Sequence, residues 1–257
     1  MAGRKVESVS NLNFNSIGTW ITVRVVYKSN LISCKNGTKQ LRLHLADASG
    51  TISAVVYNME AVDFFKLFEI EKVYSICGFN INWAKKQFTH LEHDYEIILS
   101  YKCTTKLHEN DSCVPGISYN FVTIADIANM AEKQKVDCIA VCRDSHFTTG
   151  RTKNNTEYHR RVLQLTDNSN ASIKLTLWGD DARRWDNQPP FIVAVKGAIV
   201  SMYNESKSLQ MADGSTIKID PDLPESHSLR NWYVCLISIY LRLQIYYFFL
   251  FHRLFQS

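Results

Sequence analysis

Residues 174–185, KLTLWGDDARRW, place a tryptophan where an alternating strand would put a polar side chain. Ile173, Leu175 and Leu177 alternate with Lys174, Thr176 and Trp178. Successive strand side chains point to opposite faces, so Trp178 shares its side with a lysine and a threonine. An indole beside cations on an open sheet face can take the flat side of a nucleobase, for about 1–3 kcal/mol and with little base preference. Taken alone, Trp178 also suits a rim residue covered by a loop, because single exposed apolar side chains are common.

Three more aromatics repeat the placement. Tyr57 shares a strand face with Ser53 and Val55 in TISAVVYN, and Phe88 aligns with Lys86 and His90 in AKKQFTHLE. Tyr203 lies with Ser201 and Ile199 in AIVSMY. Cations accompany them: Arg24, Lys28, Lys35, Lys39 and Arg42 around one hairpin, and Lys85 and Lys86 flanking Phe88. Further on, Arg143, Arg151, Lys153, Arg160, Arg161 and Lys174 gather near Trp178. A solvated mixed-charge surface accounts for any one of them; as a set beside aromatics they form a groove that follows a phosphate backbone. Glu96, Asp180 and Asp181 lie nearby, so the surface is not uniformly positive.

Catalytic chemistry finds less support. His90, His93 and Asp94 in HLEHDYE have the residue types of metal ligands. On a strand, however, His90 and His93 face opposite sides and cannot converge on one ion. There is no nucleophile–base pair and no phosphate-cradling glycine loop. The expectation is a protein that is not an enzyme, with no catalytic residue, metal, cofactor or small-molecule substrate.

A chain of 257 residues has room for one large or two small domains. With 46% hydrophobic and 21% charged residues it can bury a core, and its net charge of +4 permits an acidic partner without demanding one. Seven cysteines, odd in number and never spaced C-x-x-C, argue against a disulfide framework and a zinc ribbon. The N-terminal MAGRKVESVSNLNF lacks an apolar signal-peptide core, and the sequons at Asn36, Asn110, Asn154, Asn170 and Asn204 reflect an Asn-rich chain. The apolar stretch VCLISIYLRLQIYYFFLF (234–251) approaches membrane-spanning length, but Arg242 near its middle disfavours insertion by about 2.5–3.5 kcal/mol. A membrane span is not expected.

The elements that must hold these residues occur twice. LRLHLADASGTISAVVYN from Leu41 and VLQLTDNSNASIKLTLWG from Val162 both run strand, Asp-x-Ser turn, strand, terminal aromatic. KVYSICGF (72–79) is matched by FIVAVKGA (191–198), and alternating runs KKQFTHLEHDYEI and KSLQMADGSTIKI close the two copies. A helical segment precedes the fourth strand in each: MEAVDFFKLFE, with Val62, Phe65 and Phe68 on one face, and the shorter DDARRW. Five short strands with such a helix point to an OB barrel. The fold class is therefore all-β: two tandem OB-fold barrels, each with a small capping helix. The expected spans are a first domain at 7–103, a polar linker at 104–118, a second domain at 119–220, and a C-terminal segment at 221–257. TIADIANMAEKQ adds a short helix capped by Thr123, with Asp126 at capping-box distance.

The motifs WITVRVVYKS, LADASGTISAVVYN, EKVYSICGFNINWAKKQFTHLEHDYEI, LTLWGDDARRWD, VAVKGAIVS and IDPDLPESHSLRNWY resemble, in order and spacing over about residues 7–233, the replication protein A large-subunit family. The resemblance falls on that family's two central single-stranded DNA-binding OB domains. It implies base stacking on Tyr57, Phe88, Trp178 and Tyr203. It also implies phosphate and base contacts by Lys39, Asn58 and Glu96 in the first domain, and by Arg143, Arg151 and Arg160 in the second. Lys86 and Lys174 join this set from the pattern alone. The chain departs from the family at Ser53, Asn82, Thr156 and Ile199, where Arg or Lys is usual, and Tyr57 and Tyr203 replace Phe. Each lost phosphate contact flattens the salt dependence by about 0.7 in log K against log salt.

These residues predict a nuclear single-stranded DNA-binding protein of DNA replication, repair and recombination, with single-stranded DNA as ligand and repair or replication proteins as partners. The family's zinc-ribbon domain, which anchors its other subunits, has no counterpart in the sequence, so a heterotrimer is not expected. The alternative is an OB-fold protein-interaction module with weakened or lost DNA binding.

Overall fold

In the first half of the chain the alternating runs become β1 (Trp20–Lys28), β2 (Ile32–Ser33), β3 (Lys39–Asp47), β4 (Gly50–Tyr57), β5 (Val73–Cys77), β6 (Asn80–Trp83), β7 (Tyr95–Leu99) and β8 (Thr104–Leu107). Helix α1 (Asn58–Leu67) lies between β4 and β5. The computed structural model describes residues 5–34, 37–87, 89–109, 112, 114–153, 155–184, 187–203 and 206–254. It divides into two units, Met1–Ser118 and Tyr119–Ser257.

The first unit orders its strands β6-β7-β4-β3-β1-β5-β8, with β4 and β7 parallel and the other neighbours antiparallel. Leu41, Leu43 and Leu45 of β3 and Ile52, Ala54 and Val56 of β4 point into one fully buried core. Helix α1 adds Ala61 and Phe64, and Phe68 follows just past its end. That spacing is one helical face, one residue out of step with the Val62–Phe65–Phe68 stripe expected from sequence. Phe65 is only half-buried, beneath the Lys28 ammonium 4.2 Å from its ring centroid.

The second unit comprises α2 (Ile124–Ile127), β9 (Lys135–Arg151), β10 (Glu157–Thr166), β11 (Ser172–Trp178), α3 (Asp180–Arg183), β12 (Phe191–Tyr203), β13 (Ser206–Gln210), β14 (Thr216–Ile219) and α4 (Pro224–Leu254). Its sheet runs β13-β11-β10-β9-β12-β14, and a β12–β13 pairing closes the barrel. Both units thus follow the five-stranded OB order, the long β12 standing where the first unit has β5 and β6. Leu163, Leu165, Ile173, Leu175 and Leu177 line the second core.

The two Asp-x-Ser turns do one job twice. Asp47 Oδ1 accepts from the Ser49 and Gly50 amides, while Oδ2 accepts from the Val9 amide at 2.8 Å. Asp167 Oδ1 accepts from the Ser169 amide, and Oδ2 accepts from the Ile124 amide at 2.7 Å. Each carboxylate closes its hairpin and anchors the short helical turn that opens its own barrel, satisfying amides that such a turn leaves unpaired. As expected from sequence, Thr123 caps α2, accepting from the Asp126 amide at 3.1 Å.

Two expectations need correction. The described residues of 84–94 are in no strand; Tyr95–Leu99 is, so the alternation that aligned Lys86 with His90 has no face to refer to. The polar stretch 104–118 is in part structure of the first unit. Its β8 pairs with β5, and the carbonyls of Val114 and Pro115 accept from Arg24. The apolar C-terminal stretch is the later part of α4. This helix buries Leu229 against Ile139, Val141, Ile192 and Ala194 and then leaves Val234, Ile239 and Tyr240 exposed. Among the described residues no helix is long and apolar enough to cross a membrane.

Candidate nucleic-acid interface

On the outer face of the second barrel, strand register sets Arg160 opposite Trp178, Val162 opposite Thr176, and Gln164 opposite Lys174. Lys174 in turn neighbours Ser208 across the parallel pair, and Ser208 neighbours Ser201. All of these but Val162 line a groove of about 800 Å³. Trp178 is 49% exposed at one end of it, with the Arg160 guanidinium 5.7 Å from the indole centroid, within cation–π reach. The strand ends there because Gly179 turns the chain at φ 59° into α3.

The first barrel repeats the architecture and changes the contents. Tyr57 ends β4 half-buried opposite Gln40, and Asn58, the first residue of α1, makes a left-handed break at φ 61°. Asparagine tolerates that conformation better than most residues, which gives Asn58 a backbone role of its own. The next positions along the face are Val55 opposite Arg42, then Ser53 opposite His44, with Glu96 beside Ser53 and Asn82 beside Glu96. The open face expected here is instead covered: Arg42 is 5% exposed, His44 6%, and Ser53, Val55 and Glu96 1% each. Among the described residues neither Glu96 carboxyl oxygen nor the Ser53 hydroxyl has a hydrogen-bond partner, a costly state for buried polar groups.

Several cations of the first unit are spent on its own backbone. Arg24 donates to the carbonyls of Glu71 at 2.6 Å, Val114 at 2.5 Å and Pro115 at 2.8 Å. Lys28 donates to the carbonyls of Phe65 and Phe68, both at 2.8 Å, at the end of α1. Lys86 gathers the carbonyls of Leu91, Glu92 and His93 and lies 3.8 Å from Asp94, so it ties the loop before β7 rather than lining the sheet. His93 is held by the Val9 carbonyl at 2.9 Å, and among the described residues no cluster suits a metal ion. Lys39 is exposed at the start of β3. Phe88 and Lys35 lie outside the described residues.

In the second unit Arg143 is exposed where the β9–β10 register slips, and Lys153 is exposed near the hairpin tip. Arg151 binds Asn155 Oδ1 across that tip at 3.0 Å. Arg161 points to the opposite side of the hairpin, donating to the Ala182 carbonyl and lying 4.9 Å from the Phe147 centroid. The backbone of Tyr203 pairs with Ser206 at the far edge of the groove face; its side chain lies outside the described residues. The structure therefore brings Arg160, Lys174 and Trp178 onto one open face. Tyr158, missed in sequence, stands two residues before Arg160 and contacts Trp178 edge-on. Counting β10 back from Asp167 would have placed it on that face.

Residues 124–220 match the family described as Replication protein A OB domain. The replication protein A 70 kDa DNA-binding subunit of Drosophila melanogaster is 36% identical over 222 residues, covering 83% of this chain and 36% of that protein. The Danio rerio subunit of the same name is 36% identical over 233 residues, covering 89% of this chain and 39% of that protein. The chain thus spans well under half the length of these curated relatives. Among solved structures, a replication protein A heterotrimer bound to single-stranded DNA matches with a TM-score of 0.83 at 30% identity, over 88% of this chain and 54% of that one.

Proposed function

The chain belongs to the replication protein A large-subunit family through its OB domains, and from that premise we propose that it binds single-stranded DNA with little sequence preference. The reading is carried by the open face of the second barrel, where an exposed indole, a guanidinium and an ammonium share one groove. Trp178 stacks a base, while Arg160 and Lys174, with Arg143 and Arg151 toward the hairpin, follow the phosphates. Tyr203 supplies a second stacking position in this domain. Lys39, Tyr57, Asn58 and Phe88 make the lesser contribution of the first domain. The setting is DNA replication, repair and recombination in the nucleus, with proteins of those processes as partners.

The covered face of the first barrel favours a second reading, in which that barrel serves protein interaction and DNA binding rests on its neighbour. Titrating the full chain with single-stranded DNA, duplex DNA and single-stranded RNA at several salt concentrations tests the main reading. Micromolar or tighter binding is expected for single-stranded DNA, weaker for duplex, with affinity falling as salt rises. No binding to single-stranded DNA at low salt would leave only the interaction module.

A further inference from the structure

Tyr158 lies outside the groove that ends at Trp178, on the stretch of the β9–β10 hairpin that projects beyond it. Its strand partner is Gly150. A Cβ at Gly150 would come within 2.6 Å of the Tyr158 hydroxyl and 2.7 Å of the ring, so the glycine is what lets the ring lie across the hairpin. Covering a glycine across a hairpin is by itself a structural role, but the ring also reaches Trp178. The two centroids are 5.9 Å apart with planes at 60°. An edge-on pair leaves each ring at least one flat side to offer. Between them in the register sits Arg160, whose guanidinium is 5.7 Å from the indole centroid.

We propose that Tyr158 is an additional base-stacking subsite, taking the nucleobase next to the one on Trp178, with Arg160 receiving the phosphate that joins the two nucleotides. The proposal rests on the single-stranded DNA reading above and extends its path from the barrel groove onto the hairpin. The change of plane between the rings turns the strand at this step.

An abasic scan tests it. The probe is a labelled oligothymidylate, intact or with one abasic residue moved stepwise along it, titrated against the full chain and its variants. For the unaltered protein, two adjacent positions are expected to be sensitive, and Trp178→Ala should remove sensitivity at one of them. Tyr158→Ala, Tyr158→Leu and Gly150→Ala should each remove it at the neighbour and weaken binding of the intact strand by about 5- to 150-fold. The leucine variant keeps an apolar cover over Gly150 without a flat ring, which separates stacking from hairpin stability. Wild-type affinity and an unchanged profile in Tyr158→Leu would overturn the subsite and leave the DNA-binding reading standing. So would loss of the Trp178 position in Tyr158→Ala, because the tyrosine would then only prop the indole. Failure of the unaltered chain to bind the intact strand would overturn both.

Discussion

Two barrels built on one plan present opposite faces: that of the second is an open groove, and that of the first is covered. The scaffolds agree in detail, from the Asp47 and Asp167 turns to the left-handed residue after each platform aromatic. The difference lies in a few cross-strand positions. At one point Lys174 has Gln164 and Ser208 beside it, whereas its counterpart Ser53 has His44 and Glu96. One site thus carries an exposed lysine and the other a buried carboxyl group with no hydrogen-bond partner among the described residues. These positions point away from the core, so the face can change while the core does not.

The largest effects should fall on what the barrels share. Leu43→Ala and Leu175→Ala each empty a fully buried core site and should lower stability by about 2–5 kcal/mol in denaturant unfolding, to similar extents. A much smaller loss in one barrel would break the equivalence of the scaffolds. Next comes Glu96→Gln, which replaces a buried carboxyl group that has no hydrogen-bond partner among the described residues with a neutral amide. It should stabilise the first barrel by about 1 kcal/mol, read as a higher unfolding midpoint, and destabilisation would mean the carboxylate has an essential partner. Lys174→Ser copies the first barrel's residue into the second. The slope of log K against log salt should become shallower by about 0.7, and an unchanged slope would remove Lys174 from the phosphate path.

The smallest effect concerns thiols. Burial pushes the Cys138 thiol of β9 up to about 12, with Asp167 and Asp137 adding to the rise. Burial likewise takes Cys142 to about 11. Both stay protonated at neutral pH, so a thiolate-directed reagent should modify exposed Cys235 first and these two only after unfolding. Prompt labelling of Cys138 would show that the second barrel opens readily.

Much of this was legible in the residues themselves. The period-2 alternation around Leu175 put Trp178 and Lys174 on one face, and the repeated Asp-x-Ser turn announced two copies of one barrel. Covering of the first face was not legible, because nothing in Ser53, Val55 or His44 says what lies above them. Arg24 and Lys28 looked like phosphate ligands because a strand pattern shows only where a cation points. Their acceptors, Pro115 and Phe68, lie 91 and 40 residues away in sequence. Lys86 misled for another reason: chance alternation in KKQFTHLEH imitated a strand where the chain makes a loop.

The claim that the open second face carries the binding is tested most directly by titrating one single-stranded oligonucleotide against Trp178→Ala and Tyr57→Ala in the full chain. Loss of the exposed indole should weaken binding by about 1–3 kcal/mol, and loss of the half-buried tyrosine by clearly less. Equal losses, or a larger one for Tyr57→Ala, would contradict the account.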